Sequence, residues 1–169
     1  EYRRQRQMCI RDSYDNAYQF FQRALEIDER VSGPNSITVS SDYYNLADVS
    51  YNMYKFSKSL SYLRKALAIR KKYYSSDDIE VVVLIKLLAG IYVKLNRSDR
   101  AEALYFWAAD KFERNPETDI LQLSTHYSDM ASFFRERGYP GDYDKARSYY
   151  QKAERGMKQI YGCLLYTSP

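Results

Sequence analysis

The chain has 169 residues, 45% of them hydrophobic and 28% charged, with a formal net charge of +4. That is apolar material enough for one continuous core and too little charge to argue for a nucleic-acid or lipid surface. No apolar run approaches the roughly 20 residues a membrane span needs, and with Cys9 and Cys163 the only cysteines there is no sign of a disulfide framework or thiolate metal site.

Apolar residues spaced at three and four predict helices throughout. The first, over 15–31, carries Ala17, Phe21 and Ala24 and ends at the breaker Gly33-Pro34-Asn35. The second, 36–54, is marked by Val39, Tyr43, Leu46, Ala47 and Ser50, and the third, 57–74, by Leu60, Leu63, Ala66 and Leu67. The basic doublets Arg64-Lys65 and Lys71-Lys72 on this third helix read as solvated surface. A fourth helix, 78–96, is announced by Asp77 three residues before Glu80, a capping-box-like pair. The fifth, 99–114, contains the apolar run Ala103–Ala109 and stops at Asn115-Pro116. The sixth, 119–137, holds the only histidine, His126, and closes on Gly138-Tyr139-Pro140-Gly141; Asp142 opens the seventh, 142–161.

Across these helices a pattern recurs every 42 residues. Small residues form the columns Ala17, Ser59, Ala101 and Ala47, Ala89, Ala131; beside them run Leu46, Leu88, Met130, then Phe21, Leu63, Tyr105, then Ala24, Ala66, Ala108. Self-similarity at such a period marks stacked supersecondary repeats. The small columns belong where helices cross, because a short side chain lets backbones approach and a large one there costs about 1–3 kcal/mol. The last repeat carries three extra residues in its turn, after which Ala146, Tyr150 and Ala153 fall back into register with Ala101, Tyr105 and Ala108.

With Asn45-Leu46-Ala47, Ala66-Leu67-Ala68-Ile69 and Ala24-Leu25-Glu26-Ile27 before Gly33-Pro34, the pattern resembles the tetratricopeptide repeat, in the 42-residue form of kinesin light chains. The resemblance implies an all-α fold, a right-handed α-solenoid of antiparallel helix pairs with about seven helices, in repeats 14–35, 36–77, 78–118 and 119–162. The chain departs from the family at its turn glycine: Tyr54 and Asn96 stand there, and only Gly138 keeps it. Residues 1–13 and 163–169 break the period and look like translated sequencing-adapter text. They are read as lying outside the repeat domain, which then starts mid-repeat, carries a net charge near +2, and can self-associate through uncapped repeat ends.

In that family the first helix of each pair lines a concave groove. Carried over by register, the groove presents Ser41, Tyr44, Asn45, Asp48, Tyr51 and Asn52, then Val83, Lys86, Gly90, Val93 and Lys94, then Thr125, Ser128, Ser132 and Arg135. Asn45 matches the family's groove asparagine, whereas Leu87 and Asp129 replace it later. An amide can meet a peptide backbone, Lys86, Lys94 and Arg135 can meet carboxylates, and Tyr44 and Tyr51 offer rigid aromatic area. Gly90 would leave room for a bulky partner side chain at a helix cost of about 1 kcal/mol against Ala. The expected ligand is a protein segment or short peptide, acidic with an aromatic or aliphatic anchor, bound near micromolar affinity by a non-catalytic cytoplasmic adaptor with no cofactor or metal.

The alternatives are a purely structural segment, or a sensor or docking arm of a larger signalling or enzyme protein. Catalysis finds little support, because His126 has no second His or Cys in the domain with which to form a metal set or a nucleophile–base pair. An RNA-reading repeat would keep polar code residues in fixed columns, whereas here the column changes from Tyr44 to Lys86 to Ser128.

Overall fold

The computed structural model describes residues 2–116 and 118–166, with side chains over 12–116 and 118–162. Every regular element among them is a helix: α1 Tyr2–Val31, α2 Ile37–Asn52, α3 Phe56–Arg70, α4 Ile79–Lys94, α5 Ser98–Arg114, α6 Ile120–Arg137 and α7 Asp142–Tyr166. These are the helices the spacing predicts, with two changes at their ends. First, α1 begins at Tyr2, well before residue 15, and α7 runs on to Tyr166. Second, α3 stops at Arg70 and leaves 71–74 in a turn, where Lys72 Nζ donates to Asn35 Oδ1 (2.6 Å) and Tyr73 OH to the Asn35 carbonyl (2.8 Å). The expected cap at Asp77 also moves by one residue, since it is Asp78 Oδ1 that accepts from Glu80 N–H (2.9 Å). Of the segments set outside the repeats, Glu1 and 167–169 lie outside the described residues.

The helices fall into two compact units, Glu1–Leu84 and Ile85–Pro169. In the first, α2 and α3 form a hairpin against α1. Leu46, Leu63 and Ala66 are fully buried, as are Ala47 and Ser59 at the crossing. Burying each Leu contributes about 1.5–3 kcal/mol. Ser59 is chosen for more than size, because its Oγ donates to the Ala47 carbonyl (2.7 Å), and Ser40 Oγ does the same to Ala66 (3.0 Å). In the second unit the same columns are filled by Ala89, Ala101, Ala108, Met130 and Ala131, all buried, with Phe112 and Phe134 between them.

The 42-residue period extends to the backbone. After α2, the N–H groups of Met53, Tyr54 and Lys55 bond to the carbonyls of Val49, Tyr51 and Ser50; after α4, those of Leu95, Asn96 and Arg97 bond to Ile91, Val93 and Tyr92. Both turns need a left-handed residue, and Tyr54 (φ 60°) and Asn96 (φ 56°) adopt that conformation just as Gly138 does (φ 67°). The turn glycine has changed; the turn has not.

A second regularity spans two repeats. Tyr43 of α2 donates to Glu29 of α1 (3.0 Å), stacks on Tyr62 of α3 (6.1 Å) and lies under Lys65 Nζ (5.0 Å). Tyr127 of α6 repeats this with Glu113, Tyr149 and Lys152 (2.5, 5.9 and 4.9 Å). Each tyrosine clamps three successive helices with its ring packed and its hydroxyl reaching an edge.

Candidate peptide-binding faces

Along α2 the residues at the core are Val39, Ser40, Asp42, Leu46, Ala47, Val49 and Ser50. Ser41, Asn45, Asp48 and Asn52 are spaced by four, three and four, so they share the opposite stripe, with Tyr44 and Tyr51 beside them. Asp48 is exposed and the others half-buried. Asn52 Nδ2 donates to the Asp48 carbonyl (3.0 Å) and more weakly to its Oδ2 (3.4 Å), and Ser41 Oγ donates to the Ile37 carbonyl (3.2 Å). Tyr51 packs edge-on against Phe56 (5.3 Å). Among the described residues, nothing occupies the Asn45 amide or the Tyr44 hydroxyl. Asn45, Tyr44 and Asp48 therefore offer a donor–acceptor pair, an aromatic plate and a negative charge along about one helical turn.

On the core side of α2 lies an acidic pair, Asp42 and Asp28 of α1. Asp42 is 7% exposed and its Oδ2 has no partner. Burial, reinforced by a hydrogen bond to Asp28 of α1 and by that residue's charge, pushes its carboxyl up to about 6.

The second unit treats its predicted cations differently. Lys86 does not stand free to receive a ligand carboxylate: its Nζ lies 2.9 Å from Asp129 Oδ2 on α6, and its side chain is only 18% exposed. Both residues stand out in the sequence, yet their pairing is missed there. The signal is a spacing of 43 residues, one repeat plus one, between consecutive first helices. Lys94 is exposed and has no carboxylate partner among the described residues. The guanidinium of Arg135 lies over the Tyr150 ring (5.9 Å), a contact foreshadowed only by Tyr150's place in the Tyr105 column.

Ser128 and Thr125 donate to their own i−4 carbonyls, Ser124 (3.2 Å) and Leu121 (2.7 Å). Ser132 pairs with the Tyr150 hydroxyl (3.1 Å). At Gly90 the nearest atom to an added Cβ is the Tyr105 hydroxyl, at an ordinary 3.7 Å. No close backbone approach demands that glycine.

His126 is fully buried. Its Nε2 faces the Tyr105 carbonyl at 3.0 Å, so that nitrogen carries the proton. The ring lies near Tyr105 (5.8 Å) and Phe112 (5.2 Å), and Nδ1 has no partner. Burial lowers its pKa to about 4, the hydrogen bond to Tyr105 opposing and nearby Lys86 assisting. Such a ring is neutral packing, out of reach of any ligand. Among the described residues no helix is long and apolar enough to cross a membrane.

Comparison with known proteins bears on the repeat and the fold. The family model for the tetratricopeptide repeat matches residues 43–80. Over 84 residues, 48% of this chain, the sequence is 31% identical to a clustered mitochondria protein homolog from Candida albicans, and the chain spans 6% of that protein's length. Among solved structures it is similar to BtubC (BKLC) from P. vanneervenii, with a TM-score of 0.77 and 22% identity over 89% of this chain and 59% of that one. It is also similar to a Podosopora anserina kinesin-light-chain structure of nearly identical TPR-like repeats, with a TM-score of 0.67 and 12% identity over 87% of this chain and 68% of that one. The chain carries a tetratricopeptide repeat, and its all-α helical-repeat fold is like that of the kinesin-light-chain repeat structures.

Proposed function

We propose that the chain is a non-catalytic protein-interaction scaffold that holds an extended peptide segment of a partner along the open stripe of α2, in the cytoplasm. The observation that carries this reading is the pairing of Asn45, whose amide has no partner among the described residues, with Tyr44 on a face the core leaves uncovered. The amide would bond a peptide backbone, and Tyr44 and Tyr51 would anchor an aromatic or aliphatic side chain. Asp48 beside them disfavours an acidic residue at that point. Within the second unit, taken by itself, Lys94 and Arg135 are the cations left to meet an acidic segment, because Lys86 already has Asp129. A ligand carboxylate at Lys86 would have to displace that pair, so the first helices of the second unit also fit a structural or docking role.

The test is a peptide-display screen on the whole chain and on a Tyr44→Ala/Asn45→Ala variant. Enrichment of aromatic- or aliphatic-anchored peptides that the variant loses supports the reading. No enrichment by a folded chain, or enrichment the variant retains, overturns it.

A further inference from the structure

From Lys55 to Lys72, a run that is mostly α3, the chain carries seven basic residues and no acidic one. Lys58 and Lys65 lie seven residues apart in one row along the helix, and Lys72 follows at the same interval in the turn behind it. Arg64 and Lys71 form a second row, and the small residues Ser57, Ser61 and Ala68 fall between the two; all of these are exposed. The corresponding helices of the second unit neutralise such cations. On α5, Arg114 is held by Asp110 (2.8 Å), and moved back by 42 residues that pair becomes Lys72 and Ala68. On α7, Lys145, Lys152 and Lys158 lie 3.7, 3.6 and 2.7 Å from Glu102, Glu113 and Glu154. In the first unit Arg70, largely covered, is met by Glu80. Lys58 and Lys65 lie instead over the rings of Tyr18 and Tyr43 (4.9 and 5.0 Å), and Lys72 donates to Asn35. None of these three lysines has a carboxylate partner among the described residues.

We propose that the outer face of α3 is a docking surface for an acidic helix of a partner protein, one whose carboxylates repeat every seven residues and meet Lys58, Lys65 and Lys72. Charge complementarity selects an anion, and spacing selects a helix. The lysines stand roughly 10 Å apart along the axis, the interval at which a second helix lying alongside repeats one face. Ser61 and Ala68 between the rows let that helix come close, since the side chains at a contact set the distance between helix axes. The face has no large apolar side chain to enter a bilayer. The rings beside it are not open for stacking bases, because Tyr62 stacks on Tyr43 (6.1 Å) and Tyr18 lies under Lys58. The proposal does not rest on the α2 stripe.

The probe is a fluorescein-labelled, alanine-based helical peptide with its glutamates in one stripe, compared with a peptide of the same composition whose glutamates are spread round the helix. Fluorescence anisotropy with the whole chain at low ionic strength should find the striped peptide tighter by about threefold to fivefold. Lys58→Glu/Lys65→Glu should weaken its binding about tenfold, and Lys58→Gln/Lys65→Gln, which removes the charge without reversing it, about threefold. Circular dichroism checks the fold of each variant. Arg114→Glu/Lys158→Glu makes the same change of net charge on α5 and α7 and should leave binding within about twofold, as should Tyr44→Ala/Asn45→Ala on the α2 stripe. No binding, equal affinity for the two peptides, or an equal loss in the α5 and α7 variant overturns the proposal. Tighter binding of duplex DNA or of anionic lipid vesicles, lost in Lys58→Glu/Lys65→Glu, would also overturn it, by assigning the face to a phosphate-bearing surface.

Discussion

His126 makes the second unit acid-labile in a way that can be separated from every other titration. The unfolded imidazole titrates near its ordinary 6.5 and the buried one near 4. Between those values the unfolded chain binds the extra proton and the folded chain does not, so stability rises with pH across that window and is lost as pH falls through it. A separation of that size corresponds to about 3 kcal/mol, a large share of a marginal domain's stability. His126→Gln keeps an N–H for the Tyr105 carbonyl and removes the titration. It gives up ring packing against Tyr105 and Phe112, and should therefore cost about 1–3 kcal/mol near pH 7. The assay is urea unfolding followed by the single tryptophan, Trp107, which lies on α5 of the same unit. The wild-type chain should lose about 3 kcal/mol more than the variant between about pH 7 and pH 4. Parallel pH profiles would refute the burial argument.

Asp42 should act in the opposite direction in the first unit. Its carboxyl is held at about 6 by burial and by Asp28, so the folded chain keeps a proton the unfolded chain releases, and stability falls as pH rises through 6. Asp42→Asn should stabilise the chain near pH 7, with the gain vanishing below about pH 4 in the same urea series. Two mid-helix glycines should differ in sign. A Cβ at Gly156 would collide with Ser124 Oγ and lie 3.3 Å from its Cβ, so Gly156→Ala should lose about 1–2 kcal/mol net of helix propensity, most of it recovered by adding Ser124→Ala. Gly90→Ala meets only ordinary contact and should gain up to about 1 kcal/mol; a loss there would mean the α4–α5 packing is tighter than described. Tyr54→Gly should gain about 0.5–1 kcal/mol by relieving a left-handed tyrosine, read as a shift in urea midpoint at constant slope.

The columns were legible because small and large apolar residues at a fixed interval can serve only repeated crossings: Ser59, Ala66, Ala101 and Ala108 are all fully buried. The turns after α2 and α4 were less legible, since Tyr54 and Asn96 hide a left-handed position that glycine would have announced. The candidate site is legible as a set of helix positions and illegible as chemistry. Periodicity assigns a residue to a face, but whether its charge is available depends on a neighbour in another helix. Lys86 and Asp129 show this directly, as does Arg135, whose guanidinium lies on Tyr150. For a related reason the two tyrosine clamps are legible only as packing positions, Tyr43 and Tyr127, and not as pairings with other helices. They recur every second repeat, and Ile85, the residue between Tyr43 and Tyr127 in that column, breaks the pattern.

The most direct test of the peptide-binding account is an amide chemical-shift titration of the whole chain with a peptide enriched in the display screen. The account predicts perturbations concentrated on the α2 stripe, at Tyr44, Asn45, Asp48 and Asn52, and abolished by Tyr44→Ala. Perturbations concentrated instead at Tyr43, Tyr62 and Lys65 would contradict it by placing the partner on the tyrosine clamp.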